Sequence, residues 1–492
     1  METLLLIAPV AAPLAAAAAC GAAGWRRITA ALGVVAALLM LADATALALR
    51  VTRSGPVVAA GGLLRADALS AWMLLVVATV ATLACWASPG YLAAGSDTGH
   101  RTRWYGVLLH LFISAMAVAI LASNLGLFWV AIEATTIVTA FLVGHHRTPT
   151  ALEAAWKYVV ICSSAIAIAF LGTVLLYYTA RHAGLEGSRA LDWATLSASA
   201  HLLDPGVTRI AVGLAVIGFG AKAGLVPLHA WLPDAHSQAP APVSALMSGV
   251  LLSVAFYAVL RIKIIADVAL GPAFLRTLLL VLAISTLSVA AVLLIGQRDY
   301  KRMLAYSSME HIGLMTVGAA TGSRLAIAAV LLHIAGHGLA KTVAFLGSGH
   351  ILHHHGNSSD VAAVRGLATR IPLLGGAFGL AMLALLGFPP AAVFASELGI
   401  ARAGSAAGFG WAIAGAFGLA LLAFVALAVR TGAMLLGTAP ADAGGAAVHA
   451  PRFGFAAAAP LITGLALVSA LGVTTWPVQR LLTAAAAIVG AR

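Results

Sequence analysis

The chain has 492 residues, of which 62% are hydrophobic and only 9% charged, and its mean hydropathy is +1.02. A soluble protein carries roughly a quarter charged residues, so this composition cannot cover a water-facing surface and excludes a soluble domain with its own nucleotide or redox centre. The net charge of +12 lies mostly in short polar segments such as Trp25-Arg26-Arg27, Arg101-Thr102-Arg103 and Gln297 to Arg302; that placement beside lipid headgroups is usual and points to no nucleic acid.

About 20 apolar residues are needed to cross a hydrocarbon core of about 30 Å. Runs of suitable length lie near 3–22, 28–49, 68–88, 104–122, 124–144, 156–179, 207–228, 240–262, 274–295, 306–322, 324–348, 372–399, 408–436 and 453–475. They are continuous and lack period-two alternation, which predicts an all-α integral membrane protein of about 14 transmembrane helices rather than a barrel. The 50 glycines suit close helix–helix approach in lipid. The first run opens Met-Glu-Thr without the basic segment of a secretory leader, so it reads as the first span. Cys20, Cys85 and Cys162 stand singly, without the spacing of a disulfide framework, a zinc site or an iron–sulfur cluster, and no cofactor is expected. Lysines and arginines divide almost equally between the two sides, so charge does not orient the chain.

Two spans are interrupted. The seventh contains Gly218-Phe-Gly-Ala-Lys222-Ala-Gly-Leu-Val-Pro227, and the twelfth Gly387-Phe-Pro389-Pro390-Ala-Ala-Val-Phe-Ala-Ser-Glu397. Broken helices in corresponding parts of two halves point to a transport site. Lys222 and Glu397 are 175 positions apart, Lys157 and His333 176, and Glu133 and Glu310 177, which suggests an internal repeat.

Ionisable groups within apolar runs are functional by default, because a lysine at mid-bilayer costs at least about 2.5–3.5 kcal/mol. Lys222 is expected to couple with Glu133 of the fifth span, the carboxylate setting how tightly the lysine holds its proton; the plainer alternative is a structural ion pair. His333, His337 and Lys341 recur every four residues and share one helix face. They read as a proton relay, rather than as core histidines or a zinc pair, because no Glu follows His333 as in a metalloprotease motif. Glu397 would end the relay, or merely cap the second half-helix. Lys157 is taken as a path residue, although Glu153 four residues earlier offers a simple helical pair. Glu310, His311, Asp234 and His229 are further possibilities. The run His353-His354-His355 reads as solvated rather than metal-bound, and no metal site is expected.

The stretch from Lys222-Ala-Gly-Leu-Val-Pro through Leu-His-Ala-Trp-Leu-Pro-Asp-Ala-His-Ser-Gln-Ala-Pro to Leu246 resembles the signature of the antiporter-like, proton-pumping subunits of respiratory NADH dehydrogenase. Gln297-x-Asp-x-Lys-Arg-x-Leu-Ala-Tyr-Ser-Ser308 and His333 to Lys341 resemble the same family, and the likeness runs through about residues 60–440. Ser244 to Leu252, Tyr306 to Gly313 and Glu153 to Lys157 look most like component F of hydrogenase-4 and of formate hydrogenlyase membrane arms. The resemblance implies fourteen helices and two inverted five-helix repeats around a central polar axis. It divides the chain into helices 1–3 (1–100), a first repeat (101–265), a second repeat (270–436) and a C-terminal helix (437–492). By position Glu133, Lys222, His337 and Glu397 match the family's proton-path residues. One departure stands out: the eighth span carries Ser248 and Ser253 where the family usually has Lys or His, and serine holds no proton charge. The expectation is an energy-coupling membrane subunit with no redox site of its own, working with other membrane-arm subunits and a peripheral hydrogenase-like module in an inner (cytoplasmic) membrane. A cation/proton antiporter, an inorganic-carbon uptake subunit and a non-conducting scaffold are the alternatives.

Overall fold

The computed structural model describes residues 2–95, 99–438 and 453–490. Six helices come first: α1 (Glu2–Ala23), α2 (Arg27–Ser54), α3 (Ala68–Ala94), α4 (His100–Leu121), α5 (Leu125–Val143) and α6 (Pro149–His182). A small antiparallel hairpin, β1 (Val57–Ala59) and β2 (Leu64–Ala66), joins α2 to α3. Next come α7 (Pro205–Ala223), the short α8 (Trp231–Gln238), α9 (Ala241–Leu270), α10 (Pro272–Ile295), α11 (Tyr300–Thr321) and α12 (Arg324–His354). The chain continues with α13 (Pro372–Leu385), α14 (Ala392–Ala406), α15 (Gly410–Leu436), α16 (Phe455–Val473) and α17 (Gln479–Val489).

Twelve helices among the described residues are long and apolar enough to cross a membrane. The two other apolar runs differ for visible reasons. That at 306–322 falls in α11, which has the length but is made less apolar by Ser307, Ser308, Glu310 and His311; that at 372–399 is divided into α13 and α14. The short α17 corresponds to no apolar run. Side chains of Asp67, Asn124, Thr148, Asp204, Asp299 and Ser323 accept the amide three residues on and so start α3, α5, α6, α7, α11 and α12.

Both expected interruptions are present. α7 stops where Gly224 adopts φ +95°, and a Cβ there would stand 2.6 Å from Leu232 Cδ1, so only glycine fits. Gly387 takes φ +70° between α13 and α14, next to the cis Pro389–Pro390 bond. Non-helical backbone at membrane depth is tolerated only inside protein or along a cavity, which is where such breaks build binding sites. Lys222 precedes its break whereas Glu397 follows its own, so the spacing of the two charges is not the spacing of the two breaks.

At the centre stand α9 and α12, whose apolar windows are entirely buried, against 28% for α16. They touch backbone to backbone: a Cβ on Gly338 would meet Gly249 O at 2.7 Å, and one on Gly249 would meet Gly338 O at 2.9 Å. Here α9 widens into a π-turn over Met247–Leu251, a local distortion frequent at functional sites. The turn carries Ser248, one of the two serines expected to stand where the family has Lys or His.

Candidate functional site

Ionisable and polar side chains are buried in several places within this apolar body. Lys222, fully buried at the last turn of α7, donates from Nζ to Thr136 Oγ1 of α5 at 2.8 Å and to the Tyr158 hydroxyl of α6 at 2.6 Å. Its ammonium also stands 4.5 Å from the Tyr158 ring centre and 5.8 Å from that of Trp231, whose electron-rich faces favour a cation. The expected partner, Glu133, does not touch it. The carboxylate lies one helical turn before Thr136, accepts from Ser163 Oγ at 2.7 Å, and keeps Oε2 buried without a partner. The Glu133–Lys222 couple is thus not a contact pair, because the phase of α5 turns Thr136 rather than Glu133 toward the lysine.

Beyond Trp231 lies His236, a fully buried residue on α8 that the sequence reading passed over. Its Nδ1 meets Leu232 O at 2.8 Å and its Nε2 has no partner. Its ring packs between Trp231 (centres 5.8 Å apart) and Phe345 of α12 (6.0 Å), within electrostatic reach of Lys341 and His337. Lys341, also fully buried, donates to Leu304 O at 2.6 Å and to Ser307 Oγ. The neighbouring Ser308 meets Ser248 of the π-turn, oxygen to oxygen, at 2.7 Å. Ser253 is buried with its hydroxyl unpartnered.

His311, His333 and His337 form one cluster. His311 Nδ1 and His333 Nε2 are 3.1 Å apart, and the ring of His337 lies 4.9 Å from that of His311. Ser396 of α14 donates to Val393 O at 2.7 Å, so at 2.9 Å it accepts from His333 Nδ1. His333 Nε2 is then the lone pair that accepts from His311 Nδ1–H, which leaves a lone pair on His311 Nε2. That atom, both nitrogens of His337 and Oε2 of Glu310 are buried without partners. A carboxylate oxygen of Glu397 lies within 4.8 Å of ligand atoms on His311 and His333. A Cβ on Gly387 would stand 2.5 Å from Glu397 Oε2, so the glycine of the second break makes room for the carboxylate. His311 rather than His337 is the direct neighbour of His333, and His311, His333 and Glu397 are the residues whose geometry suits a metal.

Three expected path residues sit elsewhere. Lys157 is not in the buried line: its side chain is 46% exposed and pairs with Glu153 at 2.6 Å and Asp234 at 3.1 Å. Asp234 also pairs with Arg302, and these groups line a polar cleft of about 400 Å³ with Gln238, Arg298 and Asp299. His229 lies in the irregular segment between α7 and α8, part-exposed, its Nδ1 3.2 Å from Pro227 O. His353 and His354 form the last turn of α12, where His353 stacks on Tyr91.

A second buried polar assembly, absent from the sequence reading, ties α3 to α9. Arg261 grips Asp67 through two bonds of 2.6 and 2.7 Å, and donates to Ser70 Oγ at 2.9 Å and the Tyr257 hydroxyl at 3.0 Å. Tyr257 in turn donates to Ile120 O. Burial alone would raise the Asp67 carboxyl; the Arg261 guanidinium and the Ser70 amide hold it down at about 2.

Comparison with known proteins gives this arrangement a family. Residues 122–423 match the model of the transmembrane NADH:quinone oxidoreductase/Mrp antiporter family. The chain belongs to that family. Among its relatives, a hydrogenase-4 component F homolog of Methylacidiphilum infernorum is 38% identical over 314 residues, covering 63% of this chain and 66% of the relative. Hydrogenase-4 component B of Escherichia coli is 33% identical over 352 residues, covering 68% and 50%. The chain therefore spans between half and about two thirds of the curated relatives it matches. A subunit in the structure of an archaeal membrane-bound sulfane sulfur reductase superposes with a TM-score of 0.86 at 25% identity, covering 99% of this chain and 97% of that one. The resemblance to antiporter-like membrane subunits, the helical membrane fold and the multi-pass character all stand on these matches. All the buried groups of the axis fall inside the family segment.

Proposed function

We propose that this chain translocates protons as an antiporter-like subunit of a hydrogenase-4-like membrane complex in the inner (cytoplasmic) membrane, driven by redox chemistry in partner subunits. One observation carries the reading: two lysines and four histidines, Lys222, His236, Lys341, His337, His311 and His333, are each fully buried in the apolar body; we read them in that order as a path toward Glu397. Such groups persist in lipid when they form a path. The repeats at 101–265 and 270–436 would each supply one half of it.

The local chemistry differs between the halves. Lys222 and Lys341 are held by hydroxyl and carbonyl oxygens rather than by carboxylates in contact. Each is an amine that, when protonated, gives its proton up as a neighbouring charge changes. Glu133 is the group to make that change at Lys222, since one of its oxygens is unpaired and Thr136 separates it from the ammonium. In the second half, His333 is bonded at both nitrogens, so it takes a proton at one and gives it up at the other. The serine pair Ser248–Ser308 supplies the link that a lysine or histidine usually makes, and His236 supplies the titratable group. Lys157, Asp234 and Arg302 would form a charged mouth. Each proton moved against 100 mV requires about 2.3 kcal/mol, which redox chemistry in partner subunits would supply.

The test is Lys222→Ala in the intact complex reconstituted in vesicles. Proton translocation should fall by about 100-fold, the scale of a lost proton-transfer group, with the redox module still bound. Undiminished translocation in an assembled complex would instead make the chain a scaffold, and a chain that co-purifies with no hydrogenase-like subunit would point to a free-standing antiporter.

A further inference from the structure

We infer that His311, His333 and Glu397 form a binding site for one divalent transition-metal ion of the zinc class, and that a bound ion blocks the axis there. Three helices, α11, α12 and α14, deliver two imidazoles and a carboxylate whose ligand atoms all lie within 4.8 Å of one another. That donor set suits zinc, cobalt or nickel rather than sodium, magnesium or calcium. Zinc–ligand bonds of about 2.0–2.2 Å put tetrahedral donors about 3.4 Å apart. The two imidazoles already meet that distance, with His311 Nδ1 3.1 Å from His333 Nε2, and the carboxylate needs to shift by roughly 1 Å.

The surroundings favour an ion in the same place. Ser396 accepts from His333 Nδ1, which fixes that ring with its Nε2 lone pair facing His311; outer partners of this kind orient metal-binding imidazoles. An ion seated between the rings takes the place of the hydrogen they share. His311 then carries its proton on Nε2, an atom that has no partner otherwise. His337, with two unpartnered nitrogens and its ring 4.9 Å from that of His311, stands beside the open coordination position. The sequence pointed instead to the i,i+4 pair His333 and His337, but their rings are stacked at 15° and 6.4 Å apart. The cross-helix trio is the better chelate.

The block rests on the proposed proton role of the axis, whereas the binding does not, and the experiment separates them. Co²⁺ is titrated into the full chain in its complex, with His353, His354 and His355 replaced by Ala to remove the surface run. The expected result is one bound equivalent with the intense visible absorption of four-coordinate Co²⁺. Affinity should fall by about tenfold or more in Ser396→Ala, the range for an outer-partner loss, and further in Glu397→Gln and His311→Asn. Zn²⁺ should displace Co²⁺ and stop translocation over the same concentration range. No uptake, a six-coordinate spectrum, or affinity unchanged in Glu397→Gln and His311→Asn overturns the site. If those variants do not fold, X-ray absorption of the Zn²⁺-loaded parent decides: two imidazoles and a carboxylate support the site, and any other set overturns it. Binding as described with translocation untouched overturns the block and the proton role of this cluster, and leaves the metal site standing.

Discussion

Two polar assemblies lie inside the same apolar body and are built from the same kinds of side chain, yet they are finished differently. The Asp67–Arg261 clamp is saturated: the guanidinium has a carboxylate, a serine and a tyrosine, and the tyrosine has a backbone carbonyl. The axis is not. His337 has two unpartnered nitrogens, and His311, His236, Glu310, Ser253 and Glu133 each have one buried atom without a bond. Protein groups complete the clamp but leave these atoms of the axis open. The completed group ties helices together, and in the proposed function the open atoms are where a proton would be accepted.

Breaking the clamp gives the largest change expected of it. Arg261→Ala leaves Asp67 buried without its cation and should destabilise the folded chain by about 3–5 kcal/mol, seen as a lower melting temperature in micelles. The double change with Asp67→Ala should recover most of the loss, whereas Lys222→Ala should leave melting nearly unaltered while stopping translocation. Acid is a milder probe of the same clamp. The carboxyl of Asp67 sits at about 2 when folded and near 3.9 when unfolded. Its contribution, about 2.6 kcal/mol, is therefore complete above about pH 5 and is lost progressively as pH falls from there through 2. Melting in acid should show that component in the parent and lack it in Asp67→Asn. The smallest effect is expected from Ser248→Ala, which removes the Ser248–Ser308 contact at a cost of about 1 kcal/mol. Translocation slowed several-fold would mark the pair as part of the route; unchanged translocation would class it with the clamp.

Much of this was legible in the sequence because lipid imposes strong rules. Long apolar runs, glycine and proline at the two breaks, and charges inside spans need no tertiary knowledge to be seen. What stayed hidden depends on how helices are phased against one another. Glu133 and Thr136 are one turn apart, and only packing shows that the hydroxyl faces Lys222. His333, His337 and Lys341 share a face, but the partner of His333 comes from α11, where Glu310 and His311 offered equal claims. His236 was obscured because Leu232-Pro-Asp-Ala-His lies between two apolar runs and entered only as part of the family signature, although it folds as the buried helix α8. Lys157 misled in the other direction, since an apolar neighbourhood in sequence turned out to be the rim of a charged cleft. The pairing of the clamp could not be found, because Asp67 and Arg261 are nearly two hundred residues apart, and their local signals, a helix-cap position and a charge inside the run 240–262, do not point to each other.

The central claim is that the buried groups form one continuous route, and His236 is where continuity is most exposed to test. His236→Phe keeps the aromatic packing between Trp231 and Phe345 and removes the titratable group that the proposed route places between Lys222 and Lys341. Proton translocation by the reconstituted complex should fall as far as it does with Lys222→Ala, with melting and assembly unchanged. Full translocation through the His236→Phe variant, while Lys222→Ala remains inactive, would contradict the account.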